Sequence, residues 1–272
     1  MDKYAIIGNP VKMSLSPKIH AAFAKQVGIS VEYHAIEAPR DGFKQTILWF
    51  KDHGGKGCNV TAPFKSEAFA LATKIGDNAK IALAANCLAF LENGNIFADN
   101  FDGIGLVEDL IQDKDFNITH KKILIIGAGG ATQGILAPLL EKAPHEILIA
   151  NRTGEKAIDL AQRFQAFGSV SGIALHDLSE SDFDLIIHAT SMGHHQQLPL
   201  LPNGLIKPTT LCYDLSYGPA AKTFLKWALE QGAKSVCDGL GMLVEQAAAS
   251  FYLWHGVYPQ TQPVLAQLQA SS

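Results

Sequence analysis

Gly127, Gly129 and Gly130 follow directly on the apolar run Ile123–Ile126 and lead into a helix-compatible stretch from Ala131 to Lys142. Four apolar residues without polar alternation suit a parallel strand buried on both faces. A strand, a glycine turn and a helix in that order present backbone N–H groups and a helix N-terminus to a phosphate. The spacing departs from GxGxxG, because Thr132 stands where the third glycine would fall. On the glycines alone the stretch is either a dinucleotide grip or a plain strand-to-helix turn. Glu146–Ala150 reads as the next parallel strand and ends in Asn151-Arg152-Thr153, roughly 20 residues after the glycines. In a dinucleotide fold that strand end meets the adenosine ribose, where an acid selects the 2′-hydroxyl and an arginine accommodates a 2′-phosphate. Arg152 is there and no acid is, which favours NADP over NAD; the plain alternative is a surface arginine at the start of a helix.

Other residues that could do chemistry lie earlier in the chain. Ser14 and Ser16 flank one residue, so both hydroxyls could line one loop; alternatively Ser16 caps the helix that Pro17 opens and Ser14 is solvated. Asn59 and Thr61 alternate on a short strand and therefore point to one side. Lys65 opens a helix, where a cation opposes the macrodipole, which hints at function against the commoner solvated lysine. Asp102 sits where a first α/β unit hands over to the glycine-turn unit, and such junctions are common places for clefts. Gln246 is a polar residue among alanines and valine near the start of an apolar helix, Leu243 to about Trp254, either solvated or a ligand donor. His194 and His195 stand in a loop with no third ligand at suitable spacing, so no metal is expected.

These residues need elements to position them. Tyr4–Ile7 reads as a first strand, Ser16 to about Val27 as a helix, Val31–Ala38 as a strand and Asp41–Asp52 as an amphipathic helix. Gly54–Gly57 breaks that helix, Cys58–Thr61 is a third strand, and a helix from Lys65 reaches about Thr73. Asn93-Gly94 centres a hairpin, a helix follows over 103–112, and Asp184–His188 and Thr210–Asp214 are further parallel strands. In open parallel sheets ligands gather at such carboxyl ends. The 272 residues, 47% of them hydrophobic and 18% charged, fit a globular chain of one or two domains with a sizeable core. A net charge of −4 with no dense basic block argues against nucleic-acid and anionic-membrane partners. No leader-like or spanning apolar segment is read, so a cytoplasmic location is expected, and four scattered cysteines without CxxC suggest reduced thiols.

Taken together the motifs resemble those of the shikimate dehydrogenase family nearly end to end. They are Gly8-Asn-Pro10, Ser14-x-Ser16-Pro17-x-Ile19-His20, Gly57-x-Asn-Val-Thr61-x-Pro63-Phe-Lys65, Asn86 and Asp99-Asn-x-Asp102-Gly103. They continue with Gly127-Ala-Gly-Gly-Ala131, Asn151-Arg-Thr153, Ala189-Thr-Ser-x-Gly193 and Asp238-Gly-x-Gly-Met-Leu-Val-x-Gln246. The resemblance implies an α/β chain with an N-terminal substrate domain, 1–101 plus 239–272, a Rossmann-like doubly wound NADP-binding domain, 102–238, and a cleft between them. It implies reversible NADPH-dependent reduction of 3-dehydroshikimate to shikimate, toward aromatic amino acids, by a monomer or homodimer.

By the same resemblance Ser14, Ser16, Asn59, Thr61, Lys65, Asn86, Asp102, Tyr217 and Gln246 hold the substrate, and Lys65 with Asp102 handles the proton. The cofactor falls to Gly127, Ala128, Gly129, Gly130, Ala131, Asn151, Arg152, Thr153, Lys156, Leu215 and Gly239, with Asp77 near the entrance. Three residues depart from the family pattern: Phe101 and Cys87, each where threonine is usual, and Lys156, where arginine is usual, which replaces a bidentate fork by a point charge. The rival readings are a quinate/shikimate dehydrogenase using NAD and a catalytically silent NADP-binding sensor.

Overall fold

The run from Tyr4 to Ile7 lies inside β1 (Asp2–Gly8), whose Ala5 and Ile7 are wholly buried. A computed structural model of the chain describes residues 1–270, in two units: 1–105 with 243–270, and Leu106–Met242. The first unit holds a six-stranded sheet of β1, β2 (Val31–Glu37), β3 (Gly55–Val60), β4 (Lys74–Ile75), β5 (Cys87–Phe90) and β6 (Ile96–Asp99), ordered β2-β1-β3-β5-β6-β4. β1 is parallel to β2 and β3, whereas β5 is antiparallel to β3 and β6. The antiparallel pair follows from the short Asn93-Gly94 connection, where Gly94 takes φ +84, the left-handed conformation a tight hairpin demands. Helices α1 (Ser16–Val27), α2 (Phe43–Asp52), α3 (Lys65–Leu71) and α4 (Asp77–Ala82) join the strands. In α2 the buried residues Phe43, Ile47 and Phe50 repeat at helical spacing and pack on Cys58, Val60 and Leu88 of the sheet.

The second unit is a parallel six-stranded sheet of β7 (Lys122–Ile126), β8 (Glu146–Asn151), β9 (Val170–Ala174), β10 (Leu185–His188), β11 (Leu211–Asp214) and β12 (Ser235–Cys237). Its order is β12-β11-β10-β7-β8-β9, so the strand order reverses between β7 and β10, the switch point at which doubly wound sheets bind ligands. The helices here are α6 (Gly130–Leu140), α7 (Gly154–Phe164) and α8 (Lys222–Glu230); α5 (Asp102–Glu108) and α9 (Leu240–His255) each contain a boundary between the units, and α10 (Gln262–Gln269) belongs to the first. No helix among the described residues is long and apolar enough to cross a membrane.

Several local expectations change. Ser16 does not cap α1: Leu15 is the N-cap, and the Ser16 hydroxyl instead accepts a bond from Ser14 Oγ at 3.1 Å. The break expected across 54–57 is confined to Gly54, at φ +88, and β3 already begins at Gly55. Gly57 belongs in the strand because a Cβ there would run into the Trp254 indole and the Leu88 carbonyl. The helix expected over 103–112 starts at Asp102 and widens after Glu108 into a π-helical turn, Asp109–Asp113. That turn carries the wholly buried Asp109, which accepts from Tyr213 Oη at 2.5 Å and pairs with Lys114 at 3.0 Å.

Burial also sets the charge state of one histidine. His20 lies flat on Tyr33, 4.2 Å between ring centres, with Phe23, Phe251 and Trp254 around it. Desolvation pushes its imidazole down to about 3, outweighing the Asn59 side-chain bond that pulls the other way. The unfolded chain takes up this proton below the ordinary histidine pKa and the folded chain does not. The stability His20 contributes is therefore complete above about pH 6.5 and is lost as pH falls from there toward 3. Urea denaturation between pH 7 and pH 4 is expected to show a His20→Gln variant with a pH slope shallower than the wild type by one proton, ~1.4 kcal/mol per pH unit. A close backbone approach supplies a second test. A Cβ on Gly172 in β9 would overlap the Ala157 carbonyl of α7, so Gly172→Ala is expected to lower stability by about 1–3 kcal/mol, read as a lower thermal midpoint.

Candidate active site

In the first unit a chain of hydrogen bonds gathers the polar residues that the sequence scatters. Asp102 opens α5 and is 5% exposed. A carboxylate so buried requires donors, and it has one on each oxygen: Lys65 Nζ at 2.5 Å from Oδ2 and Asn86 Nδ2 at 2.8 Å from Oδ1. Lys65 stands at the start of α3, whose Lys65 carbonyl accepts from Ala85 N, so the segment before β5 and the helix start are tied together. Asn86 is oriented in turn, since its Oδ1 accepts from Phe101 N at 2.9 Å, a backbone bond that any side chain at position 101 permits. Its Nδ2 also lies 3.3 Å from Gln246 Oε1, while Gln246 Nε2 donates to Leu243 O. Gln246 is thus buried and held by Asn86 and the Leu243 carbonyl, and is not a solvated residue.

A second group joins this one through Asn59. Asn59 Nδ2 donates to Ser250 Oγ at 2.8 Å and to the Asn86 carbonyl at 3.3 Å, and Oδ1 accepts from Tyr33 Oη at 2.8 Å and faces His20 Nε2 at 3.2 Å. All of its amide capacity is spent on the protein. Ser14 Oγ donates to Ser16 Oγ and accepts from Ser16 N, so the two serines form a pair at the start of α1. Thr61 follows β3 by one residue, its methyl seated against Gly8 and its N–H on the Ile7 carbonyl. Burial pushes the Tyr33 phenol well above its ordinary value and so keeps it a neutral donor. Tyr33 and Ser250 are absent from the residues chosen by sequence. The alternation of β2 and the one-turn spacing of Ser250 from Gln246 on α9 are the only signals that could have found them.

The substitutions at Phe101 and Cys87 belong together: both side chains are buried in one cluster with Ala249, against Ile104, Leu253 and Trp254. One apolar contact thus accounts for both departures. All four cysteines are free, and burial raises their thiols, Cys212 and Cys237 to about 12, so they stay protonated.

The second unit supplies the candidate cofactor grip. Gly127, at the carboxyl end of β7, takes φ +114 and lies against the Ala189 carbonyl and the Thr190 methyl, leaving no room for a side chain. Gly129 and Gly130 are exposed, and a Cβ on either would meet nothing within 4 Å. No side chain caps α6. Thr132, at the third glycine's place, turns its hydroxyl back to Gly127 O at 2.8 Å and so closes the turn from inside. The backbone N–H groups at Gly129–Ala131 therefore form a cradle that a phosphate fits. Asn151 spends its side chain on the scaffold: Oδ1 accepts from Ala128 N at 3.2 Å and Nδ2 donates to Thr153 O at 2.9 Å. This fixes the 151–153 segment beside the turn and leaves exposed Arg152 and Lys156, neither in an ion pair among the described residues. Leu215 and Gly239 lie together, because a Cβ on Gly239 would strike the Leu215 carbonyl. Tyr217 follows β11 in this unit. Asp77 is an exposed first-turn residue of α4 in the first unit, 3.6 Å from Lys80. No group of three or more potential metal ligands occurs among the described residues; the His194 side chain lies outside them.

Known proteins match the chain throughout. Three family models fit in order: the shikimate dehydrogenase substrate binding domain over 6–88, shikimate/quinate 5-dehydrogenase over 109–207, and the shikimate 5′-dehydrogenase C-terminal domain over 239–269. A curated relative from Coxiella burnetii, named shikimate dehydrogenase (NADP(+)), is 54% identical over 99% of each chain. Among solved structures, an Ael1 enzyme from Pseudomonas putida is 41% identical with a TM-score of 0.88, covering 98% of each chain. The shikimate 5-dehydrogenase of Thermus thermophilus, solved with NADP(H) and shikimate, is 28% identical with a TM-score of 0.87 over the whole of both chains. Motifs, sheet order and these matches agree: the chain belongs to the shikimate dehydrogenase family.

Proposed function

We propose that this protein catalyses the reversible, NADPH-dependent reduction of 3-dehydroshikimate to shikimate. The observation that carries the reading is the Lys65–Asp102 contact at 2.5 Å, set among amide side chains suited to a hydroxylated ring. Bound NADPH supplies a hydride to the ketone carbon, which leaves an alkoxide in need of a proton. Both Asp102 oxygens already accept bonds, so the group left to meet that alkoxide is the Lys65 ammonium, which keeps two of its three N–H donors. Asp102 holds the ammonium in place and screens the charge change as the proton leaves. In the oxidative direction the same pair takes the proton from the ring hydroxyl.

Ser14, Ser16, Asn59, Thr61, Asn86, Tyr217 and Gln246 are assigned to the substrate. Asn59 acts within this group by orienting its neighbours, since its own amide is committed to Tyr33, Ser250 and the Asn86 carbonyl. A site built to bond hydroxyls discriminates steeply against rings that lack them. The glycine turn takes the cofactor phosphates, and Arg152 and Lys156 take the 2′-phosphate. All of these substrate residues except Tyr217 lie in the first unit, and the residues given to the phosphates lie in the second. A silent sensor would not require Lys65 and Asp102 in contact, and the relatives are named for NADP(+), so neither rival reading is favoured. The reading carries a cytoplasmic monomer or homodimer acting on small molecules.

Mixing the protein with shikimate and NADP⁺ and following reduced-cofactor absorbance is expected to show turnover, with NAD⁺ and quinate much poorer; no turnover with shikimate would overturn the reading. Lys65→Met is expected to lower kcat by ~10²–10⁴ with little change in KM, and an unchanged kcat would leave Lys65 outside the chemistry.

A further inference from the structure

His188 and Asp214 are the last residues of the neighbouring strands β10 and β11, both in register at their carboxyl ends, and both side chains are buried. His188 Nδ1 lies 2.8 Å from Asp214 Oδ2, and His188 Nε2 lies 2.7 Å from Thr190 Oγ1. The ring has little freedom, because it stacks on Phe224 at 4.9 Å and 16°. A carboxylate oxygen facing a ring nitrogen accepts, which places a proton on Nδ1; in that tautomer Nε2 is an acceptor for the Thr190 hydroxyl. Thr190 Oγ1 in turn accepts from Met192 N at 3.3 Å, and Asp214 Oδ1 accepts from Ser216 N at 2.8 Å. The line thus runs from the 189–193 segment through the imidazole to the 215–218 segment.

It also reaches the glycine turn. The Thr190 methyl and the Ala189 carbonyl are what close off the space beside Gly127. Three strand ends, β7, β10 and β11, therefore meet around one ring, on both sides of the point where the strand order reverses. A hydroxyl–imidazole–carboxylate row could also suggest a nucleophile. Here the imidazole is almost wholly buried and the threonine also accepts a backbone bond, which suits fixing a loop and not attacking a substrate.

We propose that Asp214 and His188 are positioning residues of the cofactor site: they hold Thr190 against Gly127, and so keep the glycine turn open to the phosphates of a dinucleotide. This rests on the NADP reading above, but the clamp itself is a property of the chain and can be tested without cofactor.

Two side chains separate the halves of the clamp. His188→Asn keeps a donor for Asp214 but is too short to reach Thr190, whereas His188→Gln places an acceptor near Thr190. In the full-length protein without cofactor, amide hydrogen exchange over 127–130 and 189–193 is expected to rise about 10-fold in His188→Asn and much less in His188→Gln, with β9 and α7 unchanged. NADP⁺ titrations are expected to give a Kd raised roughly 5- to 30-fold in His188→Asn and in Thr190→Val, the double variant no worse than either, and shikimate affinity within twofold of wild type. Unchanged exchange at 127–130 in His188→Asn overturns the clamp. So does an unchanged Kd in the folded variant, even with a lowered thermal midpoint. A wild type that binds no NADP⁺ overturns the functional reading alone, and the exchange data still decide the clamp.

Discussion

A carboxylate withdrawn from water must be surrounded by donors, and the first unit of this protein is built around meeting that demand at Asp102. Lys65 answers on one oxygen and Asn86 on the other. Each donor has its own support: Asn86 is set by the backbone N–H of Phe101, and the Lys65 main chain by Ala85. Asp102 N itself donates to Asn100 Oδ1, and Asn100 Nδ2 to the Ala84 carbonyl. The loops before β5 and after β6 are thereby locked to the start of α3. Removing one partner from a buried pair leaves a charge without compensation, which costs several-fold more than losing an exposed ion pair. That cost keeps the Lys65 ammonium beside Asp102.

The second unit solves a different problem, that of keeping backbone N–H groups bare. Every feature near the glycine turn keeps side chains out of it. Thr132 turns inward to Gly127, Asn151 bonds to the scaffold on both sides of its amide, and no side chain caps α6. Substituting threonine for the third glycine of the motif costs nothing visible here, because its hydroxyl supplies a bond that closes the turn.

Much of this was legible in sequence because it depends on local patterns. Ile123–Ile126 read as a doubly buried strand and is one, and the Asn93-Gly94 hairpin follows from turn chemistry. The role of Ser16 was not legible, since capping is the commonest use of a serine before proline, whereas in the fold Leu15 is the N-cap and the Ser16 hydroxyl accepts from Ser14. The extent of β3 was missed for a similar reason: glycines read as a break until Trp254, nearly 200 residues away in sequence, is seen to need the space. The π-helical turn at Asp109 and the strands β9 and β12 are set by tertiary contacts that no short window carries. Phe101 and Cys87, separate oddities in the sequence, become one packing contact in the fold.

The central claim is that Lys65 and Asp102 act as one proton-moving unit. A double-mutant cycle on kcat for shikimate oxidation, using Lys65→Met, Asp102→Asn and the pair together, tests it most directly. Two residues acting as a unit predict a double variant no slower than the slower single variant. Losses that multiply would show two independent contributions and contradict the account.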